Sequence, residues 1–60
     1  MNLTPQELIV LEKIYEGKSN SEISNELCVS INTIKTHVAH ILRKENVKNR
    51  IQLISKQIKK

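Results

Sequence analysis

Residues 19–43 decide the fold: Ser19-Asn20-Ser21-Glu22-Ile23-Ser24-Asn25-Glu26-Leu27-Cys28-Val29-Ser30-Ile31-Asn32-Thr33-Ile34-Lys35-Thr36-His37-Val38-Ala39-His40-Ile41-Leu42-Arg43. Two helix starts stand in this stretch. The Ser19 hydroxyl can accept from an orphan backbone N–H, and Glu22 can reach back to the cap. Ile23 and Leu27 then share one face at i, i+4. Ser30 opens the second helix, with Thr33 at its third position and a Val29–Ile34 staple around the cap. Ile34, Val38, Ile41 and Leu42 follow at i, i+4, i+7 and i+8, the apolar stripe of one helix. The two helices are expected over 20–27 and 31–45. Only about three residues separate them, so they must pack across a tight turn, which is the helix-turn-helix arrangement.

Working outward, the flanks carry the same kind of signal. In Leu3-Thr4-Pro5-Gln6-Glu7-Leu8, Thr4 suits the cap and Pro5 the first helical position, where its missing N–H costs nothing. Glu7 completes a capping box, and Leu3 with Leu8 forms a staple. Gly17 suits a left-handed stop, so this helix is expected over 5–16. Asn49 with Gln52 opens a fourth helix over 49–58, with Ile51, Leu53, Ile54 and Ile58 as its apolar positions. No strand-like alternation and no repeat interrupts the pattern. The fold class expected is all-α: one four-helix domain over residues 1–60.

Composition removes several function classes. A chain of 60 residues is one domain, and it buries only about 60% of its unfolded surface, so it gains from pairing. The single cysteine excludes an internal disulfide, and His37 with His40 lack the further ligands of a zinc site, so no metal is expected. No glycine-rich phosphate loop, nucleophile elbow or metal-ligand set supports an enzyme, and no cofactor or small-molecule ligand is expected. Glu12 and Glu16 share a face but pair as readily with Lys13 or solvent. Tyr15 is the only aromatic residue, which argues against a stacking platform for single strands. No apolar run reaches the roughly 18 residues of a membrane span and no signal peptide is visible, so the expected place is the cytoplasm, with no membrane partner.

Charge is divided unevenly. Residues 1–30 carry two bases and five acids, net −3, whereas residues 31–60 carry eight bases and one acid, net +7. Such asymmetry points to a polyanion on one side of the folded body. At about 100° per residue, Ile34, Val38, Ile41 and Leu42 face the core, and Asn32, Thr36, Ala39, His40 and Arg43 lie opposite, with Thr33 and Lys35 on the flanks. That outward face is basic, rich in hydrogen-bonding groups and free of the helix's own carboxylates. It can approach phosphates without repulsion and enter a major groove.

Leu3-Thr4-Pro5, Gly17-Lys18-Ser19-Asn20-Ser21-Glu22-Ile23, Val29 through Val38, Ile41-Leu42-Arg43-Lys44 and Val47-Lys48-Asn49-Arg50 together resemble the LuxR-type (GerE-like) helix-turn-helix domain. The resemblance covers about residues 3–58. It implies a DNA-binding output module of bacterial transcription regulators, often placed after a receiver or autoinducer-binding domain. It implies a scaffold helix at 20–27, a recognition helix at 31–45 and a dimerisation helix at 49–58. Positions matching Lys35, Thr36 and Ala39 then face base edges. Asn20, Ser21, Thr33, His40 and Arg43, together with the outward Asn32, meet the backbone. Ile51, Ile54 and Ile58 form the dimer contact. The partners implied are double-stranded DNA and a second copy, with RNA polymerase as a further one.

The sequence departs from the family pattern at four places. Ala39 stands where some members carry a polar reader, Ile51 where a polar residue is common, Glu45 where an apolar one is common, and Cys28 at an apolar position before the turn. Cys28 is expected as a small buried hydrophobe, His37 and Tyr15 as packing residues, and Lys56, Lys59 and Lys60 as partners of a helix dipole. Two other readings of the same residues stay open. One is a sigma-factor-like helix-turn-helix. The other is a small interaction protein that pairs with a larger regulator and blocks it.

Overall fold

The computed structural model describes residues 3–58, with side chains through residue 56. Four helices follow in order: α1 (Pro5–Tyr15), α2 (Asn20–Leu27), α3 (Ile31–Lys44) and α4 (Arg50–Ile58). Each begins where the capping chemistry places it. The Thr4 hydroxyl accepts from Glu7 N–H at 3.1 Å, and the Thr4 N–H donates to Glu7 Oε1 at 3.0 Å. The reciprocal pair recurs at Ser19 and Glu22, at 3.1 and 2.8 Å. Ser30 accepts from Thr33 N–H at 3.1 Å, and the two hydroxyls lie 2.9 Å apart. Asn49 Oδ1 accepts from Gln52 N–H at 2.9 Å, while Gln52 Oε1 reaches past the cap to Lys48 N–H at 2.9 Å. Against the expected bounds, Glu16 and Glu45 are caps rather than helical residues, and α4 starts one residue after Asn49.

The helix ends share one device. After α1, α2 and α3 the chain turns through a left-handed residue: Gly17 at φ +86°, Cys28 at +58° and Asn46 at +60°. Behind each, two backbone N–H groups return to the last helical carbonyls, as Lys18 to Lys13 at 3.2 Å, Val29 to Ser24 at 3.1 Å and Val47 to Leu42 at 3.0 Å show. This is the Schellman arrangement, which satisfies carbonyls that would otherwise be orphaned. It corrects the reading of Cys28. That residue is exposed, not buried, because the left-handed turn swings it out of the apolar stripe and leaves its neighbours Leu27 and Val29 against the core.

The core is the expected stripe of α3 closed by the other helices. Val10 and Ile14 of α1, Ile23 of α2, Ile34, Val38 and Ile41 of α3 and Leu53 of α4 are buried. Leu3, Leu11, Tyr15, Leu27, Val29, Leu42, Val47 and Ile54 pack around them. Leu3 thus rests on the core, while Leu8 remains 48% exposed. Helix α3 packs on both α1 and α2, and α4 packs on α1. Hence α3 is held from behind along its length and presents its other side outward.

Candidate nucleic-acid interface

The polar face of α3 is the candidate site. Asn32, Thr33, Lys35, Thr36, Ala39, His40 and Arg43 are all exposed. Among the described residues, neither Lys35 nor Arg43 is paired with a carboxylate. The lysines of the acidic half are engaged instead: Lys13 and Lys18 both bind Glu26, at 2.8 and 3.0 Å. Those hydrogen bonds, from Lys13 first and then Lys18, lower the Glu26 pKa. The uneven charge of the two halves therefore becomes a difference of surfaces.

Not every candidate side chain is free to reach out. The Thr36 hydroxyl donates to the Asn32 carbonyl at 3.1 Å, four residues back on its own helix. Thr33 is tied into the Ser30 cap. At the start of α2, Ser21 is exposed and its carbonyl accepts from Ser24 Oγ at 2.8 Å. Asn20 Oδ1 accepts from Arg50 at 2.5 Å, and Arg50 also donates to the Lys18 carbonyl. Arg50 therefore clamps the beginning of α4 onto the beginning of α2. In the sequence the only signal of this clamp is a lone arginine just after a helix cap.

The face also has a carboxylate at its edge, supplied by α1. Glu7 is buried, with its Oε1 accepting from Lys44 Nζ at 2.8 Å and its Oε2 3.6 Å from His40 Nδ1. Lys44 first and the Thr4 N–H second bring its pKa down to about 2. Helical periodicity placed His40 outward. The structure places it on the border, half exposed and turned partly toward α1. His37 lies nearer the core, and its Nδ1 is buried without a hydrogen-bond partner among the described residues. Burial, then the nearby Glu45 carboxylate, raises the Tyr15 pKa.

On α4, Leu53 faces the core, Ile54 is half-buried and Ile51 is 77% exposed. The Ile58 side chain lies outside the described residues. Lys56 donates to the Glu45 carbonyl at 2.7 Å, so it holds the end of α3 rather than the end of its own helix. Lys59 and Lys60 lie outside the described residues. No helix among the described residues is long and apolar enough to cross a membrane.

Comparison with known proteins agrees with this architecture. The chain is 48% identical over 52 residues to the glycerol metabolism activator of Pseudomonas putida, covering 87% of this chain and 24% of that protein. It is 49% identical over 51 residues to the transcriptional regulatory protein LiaR of Bacillus subtilis, covering 85% and 24%. It is 38% identical over 58 residues to the oxygen regulatory protein NreC of Staphylococcus carnosus, covering 97% and 27%. The chain thus spans about a quarter of the length of these curated relatives. The model of the family described as bacterial regulatory proteins, luxR family, matches residues 1–57. With that match across nearly its whole length and the capped four-helix fold beneath it, the chain belongs to the luxR family of bacterial regulatory proteins.

Proposed function

We propose that this domain binds double-stranded DNA sequence-specifically and regulates transcription, with α3 in the major groove and two copies paired through α4. The observation that carries the reading is the exposed face of α3, which presents Lys35, Thr36, Ala39 and Arg43 from a helix anchored on two others. Lys35 donates to a base edge, and Ala39 offers a methyl group to thymine. Arg43, Asn32, Ser21 and what remains unengaged of Thr33, His40 and Asn20 meet phosphates. The exposed Ile51 and the half-buried Ile54, with Ile58, supply the pairing surface. Two-fold symmetry then places the half-sites about 10 base pairs apart. RNA polymerase is the further partner in this reading, and regulation of transcription itself is supported by relatives named as transcriptional regulators.

The test is titration of the chain with duplex DNA at low salt, followed by amide NMR signals. Shifts concentrated in α3 support the reading, and an unchanged α3 sinks it. Lys35→Ala weakens specific binding by about 1–3 kcal/mol if Lys35 meets a base. An unchanged affinity would return Lys35 to a solvated surface.

A further inference from the structure

We propose that Arg50 is a positioning residue for backbone contact: it fixes the Asn20 carboxamide so that its Nδ2 group donates to a phosphate of bound DNA. This deepens, and rests on, the DNA-binding reading above.

Asn20 is the first residue of α2 and Arg50 the first of α4, 30 residues apart in the chain. Both side chains are half-buried where the two helix starts meet. A guanidinium carries N–H donors and no acceptor, so the atom it meets on Asn20 must be the carboxamide oxygen. Arg50 Nη1 donates to that Oδ1 at 2.5 Å, and Nη2 donates to the Lys18 carbonyl. The planar fork thus spans one side-chain acceptor and one backbone acceptor of the same segment. With Oδ1 held, the carboxamide cannot flip without losing its partner, and Nδ2 is the end left over. Among the described residues, Nδ2 donates to no protein group. A donor fixed before binding gives up little side-chain freedom when a phosphate arrives. Asparagine is among the side chains that bind phosphate oxygens, and such contacts set the register of a protein on the duplex. Arg50, through Asn20, therefore helps to set where α3 enters the groove.

The neighbouring polar groups are occupied within the chain. Ser19 and Glu22 cap each other, and Lys18 Nζ binds Glu26 at 3.0 Å. Asn49 Oδ1 accepts from Gln52 N–H. Among the described residues, no carboxylate pairs with Arg50. Its charge stands beside the amide uncancelled, where it attracts the same phosphate.

The test uses a fluorescent duplex of mixed sequence, about 20 base pairs long so that two half-sites fit, at low salt. Affinity is expected to fall roughly tenfold in Asn20→Ala, as the loss of a hydrogen bond to a charged group requires. Asn20→Asp separates the two contacts of this side chain. Its carboxylate still accepts from Arg50, so the melting temperature is kept or raised. It has no donor for a phosphate, so affinity falls at least as far as in Asn20→Ala. A clamp with a structural role alone would keep affinity wherever stability is kept. Arg50→Lys retains the charge but lacks the fork, and in that background Asn20→Ala costs less than about threefold. If Arg50→Lys does not fold by circular dichroism, the Asn20 carboxamide signals of the unaltered chain are followed by NMR, and they must shift as duplex is added. Three results overturn the role of Arg50 alone: unaltered affinity in Asn20→Asp, an Asn20→Ala loss that is the same with and without Arg50→Lys, or carboxamide signals that the duplex leaves unmoved. No binding of the unaltered chain to the duplex overturns the DNA-binding reading with it.

Discussion

Helices α3 and α4 are both basic and both amphipathic, but they are held in different ways. Helix α3 has 14 residues and buries Ile34, Val38 and Ile41 against α1 and α2. Helix α4 has 9 residues and, among the described residues, buries Leu53. A helix that short is marginal alone. Polar ties at both ends hold it, with Arg50 on the start of α2 and Lys56 on the end of α3. Their outer faces differ too. That of α3 is polar, which suits a hydrated polyanion, whereas that of α4 carries the 77% exposed Ile51, which suits another protein surface. The core fixes α3, and α4 is fastened at its ends.

The largest expected effect separates these two anchorages directly. Ile41→Ala removes a fully buried side chain from the middle of α3 and should cost about 2–5 kcal/mol. Ile51→Ala removes a side chain already in water and should change the stability of the single copy by less than about 0.5 kcal/mol. Thermal and urea unfolding at low protein concentration measures both. The comparison breaks if the two losses are alike. It sharpens if Ile51→Ala matters only at high concentration, the outcome that pairing of copies through α4 would give.

Acid offers an intermediate test, because α3 is tied to α1 through a buried carboxylate at 2.8 Å, whereas the ionic contact of α4, Lys56 to Glu45 at 3.4 Å, is exposed. Lys44 and the Thr4 N–H hold the Glu7 carboxyl down to about 2 in the folded chain, against an ordinary value of 4.5. A depressed carboxylate contributes stability above its unfolded value and loses it as pH falls toward the folded one. The melting temperature should therefore fall progressively between about pH 5 and about pH 2. In Glu7→Gln the part of that slope owed to this residue is absent. An identical slope in both chains would show that the tie between α1 and α3 adds nothing.

The sequence alone made most of the fold legible, because every helix start is written in adjacent residues. Thr4-Glu7, Ser19-Glu22, Ser30-Thr33 and Asn49-Gln52 are local pairs, and local pairs survive into the structure with little interference. Periodicity likewise found the buried side of α3. What it could not show are contacts between residues far apart in the chain. Glu7 and Lys44 lie 37 residues apart, and Arg50 and Asn20 lie 30 apart. A helical wheel of α3 contains no trace of a carboxylate arriving from α1, so the border position of His40 was hidden. The exposure of Cys28 is hidden from the sequence for a related reason. An apolar residue in an apolar neighbourhood reads as buried unless the backbone is known to turn left-handed beneath it.

The smallest predicted effect concerns the two turns that launch these helices. Helix α3 follows Cys28 at φ +58°, and α4 follows Asn46 at φ +60°. The backbone conformation is nearly the same, but the residues tolerate it differently. In a left-handed conformation the Cβ of an ordinary residue crowds the following carbonyl oxygen, at a cost of roughly 1–2 kcal/mol, and asparagine is among the few residues that visit it routinely. Glycine removes the crowding but adds freedom to the unfolded chain, which offsets roughly 0.5–1 kcal/mol. Because Cys28 is exposed, its replacement loses no core contact. Cys28→Gly should therefore stabilise the domain by about 0.5–1 kcal/mol, while Asn46→Gly should leave it within about 0.5 kcal/mol of its starting value. Paired urea melts measure the difference. Equal gains at both sites would mean that asparagine has no advantage there. A loss at Cys28 would mean that the thiol side chain contributes to the turn through a contact stronger than its long 4.0 Å approach to the Asn25 carbonyl.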